Sequence, residues 1–305
     1  MNAKRIRRLK EYSLGYMFIL PWLAGFLAFM LWPFIYSFYL ALTDYRFSAD
    51  YSFVGFGNFA ELFASDERFH KSLWVTTKLV LLAVPLKLAF SLGIAMVLNK
   101  GISGLSFYRT VYYLPSIIGG SVAVAIMWMQ IFGRGGLINV FLQMFGIQGK
   151  DWIFNPDSAL YTIVILMVWQ FGSTMLIFLA GLKQVPKEMY EAVSLDGAGR
   201  WKQFRHITLP LISPVIFFNL IMQTIQTFQT FTQGYVITKG GPVDETLFMV
   251  IYIYQQAFSS LNMGYAQAIS WVLLVIIGFA TVIHFIASRY WVHYEDSDGK
   301  KGRRL

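Results

Sequence analysis

Six long, mostly apolar runs divide this chain, and nothing constrains its fold more. They lie at about 14–42, 73–98, 110–132, 159–182, 211–237 and 267–288. A helix needs about 20 apolar residues to cross a bilayer. The connections between the runs are polar or carry Gly and Pro, so water must solvate them, because lipid cannot satisfy open backbone groups. The remaining composition agrees: 56% of residues are hydrophobic and only 13% are charged. A soluble domain of this size carries roughly 25% charged residues. The expected fold is all-α, a polytopic membrane protein of about six transmembrane helices. No soluble domain, low-complexity tract or internal repeat stands out. The absence of cysteine excludes a disulfide framework and a thiolate metal site.

The N-terminal sequence, Lys4, Arg5, Arg7, Arg8 and Lys10 followed by an apolar run, mimics a signal peptide. The run is about twice the length of a signal-peptide core and lacks a small-residue exit, so it reads as a retained first helix. The net charge of +9 is distributed unevenly. One face collects five Lys/Arg at the N-terminus, two in 99–109, five in 183–210 and five in the tail, against six for all loops of the other face. By the positive-inside rule, both termini and the loop 183–210 are expected in the cytoplasm. The charge is thus an orientation signal and needs no nucleic acid to explain it. The expected organisation is one membrane domain over 1–305. Its parts are a basic tail (1–13), a first helix with an external loop (14–71), a helical core (72–290) and a charged, disordered cytoplasmic tail (291–305).

The most informative segment is Tyr190–Pro210, YEAVSLDGAGRWKQFRHITLP. Pro186 suits a first helical turn, and Glu188 and Glu191 follow where the helix dipole favours acids. Asp196-Gly197-Ala198-Gly199 offers a stop, because glycine adopts the left-handed cap conformation. Trp201, Phe204 and Ile207 then suggest a second short helix. Periodicity alone is equally consistent with an amphipathic interfacial segment. The register of Glu191, Ala192, Gly197, Ile207, Leu209 and Pro210, however, resembles the EAA loop of importer-type ATP-binding-cassette permeases. Tyr190, Asp196, Ala198, Trp201, Phe204 and Thr208 extend the likeness to the form found among sugar permeases; Val193 stands where the family usually has alanine. Three further segments resemble the maltose-permease-like branch. They are Phe53-Val54-Gly55-Phe56-Gly57-Asn58-Phe59, then Tyr108-Arg109-Thr110 through Leu114-Pro115, and Gly240-Gly241-Pro242 with Thr246, Tyr254, Phe258 and Gly264-Tyr265-Ala266.

The resemblance implies the transmembrane domain of a type I importer for di- or oligosaccharides in a bacterial or archaeal plasma membrane. It implies a second permease subunit, two copies of an ATPase and an extracytoplasmic sugar-binding protein as partners. Coupling to the ATPase would fall on Glu191, Ala192, Asp196, Gly197 and Ala198. The chain has no GxxxxGK[ST] phosphate loop, so ATP and Mg²⁺ are expected on the partner ATPase. It is expected to be a transporter subunit and not an enzyme: His70, His206, His284 and His293 show no metal-ligand spacing, and no catalytic triad can be argued.

The fifth run carries Asn219, Gln223, Gln226, Thr227, Thr230 and Gln233, spaced to share one side of a helix. Amides and hydroxyls suit a sugar, and they equally suit interhelical hydrogen bonding worth about 0.6 kcal/mol per bond. The resemblance implies sugar contacts at Gln223, Gln226, Thr227 and Thr230. It adds Trp169, Gln170, Ser173 and Thr174 of the fourth run, with Ser116 and Ser121 of the third. Lys87, near the middle of the second run, has no carboxylate of this chain's own runs to pair with, so its partner is expected to be backbone carbonyls, water or the second permease subunit. A gradient-driven secondary transporter or channel is the alternative; such proteins commonly carry intramembrane acids, and this chain has none. An assembly subunit without sugar contacts is a third reading.

Overall fold

The computed structural model describes residues 16–48, 50–101, 103–195 and 197–293. The basic N-terminal tail, most of the charged C-terminal tail and Asp196 lie outside the described residues. The described residues are helical and contain no strand, with one isolated β-bridge, Thr43 to Phe53. The helices are α1 (Tyr16–Ala41), α2 (Gly57–Ala64), α3 (Glu67–Leu98), α4 (Leu105–Ile118), α5 (Val122–Phe132), α6 (Leu137–Met144) and α7 (Ala159–Trp169). They continue as α8 (Gly172–Gln184), α9 (Lys187–Leu195), α10 (Arg200–Leu211), α11 (Ser213–Phe228), α12 (Thr232–Thr238), α13 (Met249–Tyr254) and α14 (Met263–Trp291).

Among the described residues, four stretches are long and apolar enough to cross a membrane by themselves: Tyr16–Ala41, Glu67–Leu98, Val122–Met144 and Met263–Trp291. Two further spans are bent pairs, α7–α8 by 45° and α10–α11 by 66°. The expected count of about six therefore stands, but three of the spans are interrupted. The expected third helix, 110–132, stops at Ile118 and restarts at Val122. Gly119 and Gly120 interrupt it, and Ser121 caps α5 by accepting from the Val124 amide at 3.3 Å. Pro214 starts α11, and the expected fifth helix, 211–237, ends at Phe228. The second span starts earlier than expected because Asp66 accepts from the Phe69 amide at 2.9 Å, an N-cap that hydropathy does not register.

The chain forms two compact units. One comprises residues up to Ser65 with Ile253–Val272. Here Asn58 donates to the carbonyls of Ala41 and Thr43 at 2.8 and 2.9 Å, closing the corner after α1. Gly264 donates to the Tyr45 carbonyl at 2.9 Å, and a Cβ there would meet the Thr43 carbonyl oxygen at 2.1 Å. Asp44 accepts from the Ser52 amide and hydroxyl, which holds its carboxyl below the ordinary range. This tie is present at neutral pH and is lost as pH falls through that lowered pKa.

The other unit comprises Asp66–Tyr252 with the residues from Leu273 onward. Its central helix is α3, which packs against α7, α8 and α11. Ala95 and Leu98 of α3 join Phe171, Met175, Phe178, Leu182, Ile207 and Ile212 in one buried cluster. A second cluster gathers Val124, Trp128, Ile153, Leu166 and Ile237. At the opposite end of α3, Arg68 pairs with Asp244 at 2.9 Å and Lys71 pairs with Glu245. The Met249 amide donates to Thr76 Oγ1 at 2.9 Å. These contacts latch the loop after α12 onto α3.

Lys87 is 8% exposed. Among the described residues no hydrogen bond or ion pair engages its ammonium group. A buried charge without a counter-charge carries an uncompensated desolvation penalty, which an apolar side chain of similar length removes. Lys87→Met is therefore expected to hold or raise the thermal midpoint of the purified transporter. A clear fall would mean that another subunit supplies the counter-charge.

Candidate functional site

The loop 183–210 folds as a helical hairpin. α9 ends in a left-handed glycine turn: Gly197 has φ +72°, its amide donates to the Ser194 carbonyl at 3.1 Å, and the Ala198 amide donates to the Val193 carbonyl at 3.2 Å. That pair of bonds is the Schellman arrangement, with glycine at the position that must be left-handed. Two side-chain ties then join α9 to α10. Gln203 Nε2 donates to Ser194 Oγ at 2.9 Å and to the Ala198 carbonyl at 3.1 Å. The Tyr190 and Thr208 hydroxyls meet at 2.9 Å.

The hairpin has two faces. Tyr190 and Val193 pack on the buried cluster at the end of α3 and α8. Glu188, Glu191, Ala192 and Leu195 point the other way, and Leu195 is 90% exposed. Of the expected coupling residues, Glu191, Ala192 and Gly197 are exposed, and Ala198 is half-buried. Gln203 was not among the sequence candidates. Its signal is slight: a glutamine on a short helix that begins just after a glycine stop.

The polar residues of the fifth span, expected on one side of a helix, lie in three settings. Asn219, Gln223 and Thr227 are buried on α11, Gln226 is exposed, Thr230 is buried in the break after α11, and Gln233 is half-buried on α12. Gln223 Nε2 donates to Gln226 Oε1 at 3.3 Å, so the two amides are neighbours. The face of α11 left open runs through Phe218, Met222 and Gln226 and continues at Gln229. Gln229, also absent from the sequence candidates, belongs to this open row because the helix ends at Phe228 and the chain turns there.

Ser116, Gln170 and Ser173 meet where the third and fourth spans break. Ser116 Oγ donates to the Gln170 carbonyl at 3.1 Å and accepts from the Ser173 amide at 3.0 Å. Gln170 Nε2 donates to the Gly119 carbonyl at 2.9 Å. The two breaks are thus one knot, in which the Ser116 and Gln170 side chains satisfy backbone groups freed by the interruptions. Gly172 makes it possible: a Cβ there would lie 2.1 Å from the Tyr112 carbonyl oxygen. Trp169 is half-buried with its ring 6.1 Å from that of Trp128, Thr174 is fully buried, and Ser121 is exposed as the cap of α5. The Oγ1 of Thr174 and Oδ1 of Asn219 are buried with no hydrogen-bond partner among the described residues.

Residues 7–292 match the family model described as binding-protein-dependent transport system inner membrane component. The chain belongs to this family. The permease is 52% identical over 299 residues to the probable ABC transporter permease protein YesP of Bacillus subtilis, covering 97% of each chain. It is 34% identical to the arabinooligosaccharides transport system permease protein AraP of the same organism, over 88% of this chain and 86% of that one. It also superposes on a chain from a crystal structure of a bacterial alginate ABC transporter in complex with an alginate pentasaccharide-bound periplasmic protein. The TM-score there is 0.80 at 22% identity, covering 93% of this chain and 96% of that one, which shows a shared fold. The permease is therefore a membrane-embedded, multi-pass transport subunit of the ABC importer class, and not an enzyme.

Proposed function

We propose that this permease forms, with a second permease subunit, the path of an ATP-driven importer for di- or oligosaccharides. An extracytoplasmic binding protein delivers the sugar, and two copies of an ATPase, which hold the ATP and Mg²⁺, drive the cycle from the cytoplasmic side. The observation that carries this reading is the exposed face of α9. An apolar tip, Leu195, stands beside Glu191 and Ala192 on a helix whose other side is packed and whose end is fixed by Gly197. A docking helix held in this way transmits displacement, because its position is tied to the ends of α3 and α8. The family, and relatives whose names include arabinooligosaccharide transport, support a sugar cargo. The positive-inside count supports placing the hairpin and both termini in the cytoplasm.

Within the path, Gln226 is the strongest candidate for sugar contact, since it is the expected contact residue on the open face of α11. Gln223 sits behind it and orients its amide. Thr227, Thr230, Trp169, Gln170, Ser173, Thr174 and Ser116 are assigned a supporting place around the path, where Ser116, Gln170 and Ser173 hold the broken spans. In vesicles carrying the complete transporter and its binding protein, ATP-dependent sugar uptake is expected. Gln226→Leu should lower it about two- to twelvefold, the loss of one hydrogen bond of about 0.5–1.5 kcal/mol, without loss of assembly or basal ATP hydrolysis. Ion-gradient-driven uptake by this subunit alone would overturn the importer reading. Full uptake by the leucine variant would overturn only the assignment of Gln226.

A further inference from the structure

A concavity of about 670 Å³ opens where the second span ends beside the coupling hairpin. Met96 and Val97 of α3 and Phe204 and Trp201 of α10 give it apolar walls, and Lys100 and Arg200 stand among its lining residues. No Asp or Glu among the described residues lines it. Among the described residues, neither cation is in an ion pair. Trp201 is 70% exposed, although its ring packs at 5.6 Å against Phe204. The Tyr190 and Thr208 side chains that clasp the hairpin also line the concavity.

We propose that this is a binding site for an anionic phospholipid. Its phosphate would lie between Lys100 and Arg200, and an acyl chain along Met96, Val97 and Phe204. The charge and the layering both fit. Lys100 follows the last turn of a membrane-length helix and Arg200 opens the bent span α10–α11, positions that suit headgroup level, while the apolar wall runs back along α3. Basic pockets at the ends of spans bind anionic headgroups, each Lys or Arg contributing about a fivefold change in affinity. A zwitterionic lipid offers the same phosphate with its charge cancelled, and a soluble phosphate ester offers it without the chain. Because the site touches both partners of the Tyr190–Thr208 clasp, an occupying lipid braces the hairpin that the proposed function assigns to coupling. The binding claim itself does not depend on that function.

The test uses the complete transporter, delipidated in detergent and titrated with phosphatidylglycerol brominated on its acyl chains, which quenches nearby tryptophan fluorescence. The Trp201 component is isolated by difference from Trp201→Phe. Saturable quenching of that component is expected, with an apparent affinity about thirtyfold weaker in a Lys100→Gln, Arg200→Gln double variant. Brominated phosphatidylcholine should quench it only weakly, and glycerol phosphate should not compete. Equal quenching by both lipids, or an unchanged affinity in the double variant, would overturn the proposal in favour of ordinary lipid contact. Competition by glycerol phosphate at comparable concentration would reassign the site to a soluble phosphate ester. A Trp201 component that no lipid reaches until the ATPase is stripped away would make the concavity a protein interface. Sugar uptake enters none of these readouts, so failure of the lipid site and failure of the transport reading are separable.

Discussion

Gly197→Val should lower ATP-driven uptake by the complete transporter by about tenfold, whereas Gly197→Asn should retain most of it. The turn at 197 has φ +72°, a conformation that costs a residue with a side chain roughly 1–2 kcal/mol and a β-branched residue the upper part of that range. Such a cost shifts the population of a correctly closed hairpin by about five- to thirtyfold. Asparagine enters the left-handed region readily, and among the described residues a Cβ at 197 meets no atom within 4 Å beyond its chain neighbours. The pair therefore distinguishes conformation from space. If asparagine fails as badly as valine while the complex still assembles, the ATPase itself comes within contact distance of the glycine. Wild-type uptake by the valine variant would remove the turn from the coupling mechanism.

The second large effect is expected at the knot between the broken spans. Gly172→Ala adds one methyl group, yet that carbon would lie 2.1 Å from the Tyr112 carbonyl oxygen and 2.6 Å from the Tyr113 Cα. Both are backbone atoms, so the clash is relieved only by moving α8 away from α4. That movement would stretch the Ser116, Gln170 and Ser173 bonds, and overpacking together with unsatisfied buried polar groups costs about 2–5 kcal/mol. The variant should show a sharply lower thermal midpoint and a low yield of assembled transporter. Gly278→Ala is the control: it lies within a long helix with nothing within 4 Å of an added Cβ, and should be neutral or stabilising by about 0.5–1 kcal/mol. Similar melting of the two variants would mean that the breaks do not depend on close packing at Gly172.

The features legible in the sequence were those set by local chemistry. The first span, the glycine stop at 197 and the entry of Pro214 into α11 follow from residues that act on their own backbone. The interruptions at Gly119 and Phe228 did not emerge, because a hydropathy window averages over two glycines or a turn when the flanking residues are apolar. This also explains the polar row of the fifth span. Gln226 and Thr230 are one helical turn apart only if the helix continues, and it stops at Phe228, which leaves one exposed and the other buried. Ser116 and Gln170 were recognisable as polar residues within apolar runs. That they bond to each other depends on the packing of α4 against α8, which their spacing in the chain does not encode.

The 32 residues of α3 make a rod about 48 Å long. At one end, Arg68 and Lys71 grip the loop after α12; at the other, Gly93, Met96 and Val97 adjoin Arg200 and Phe204 of the hairpin. One stiff element therefore has a handle on each side of the membrane. The contacts at its two ends are joined by one continuous helix backbone. Pro85 interrupts the backbone bonding of this rod along its length, so a lever built this way has its fulcrum already marked.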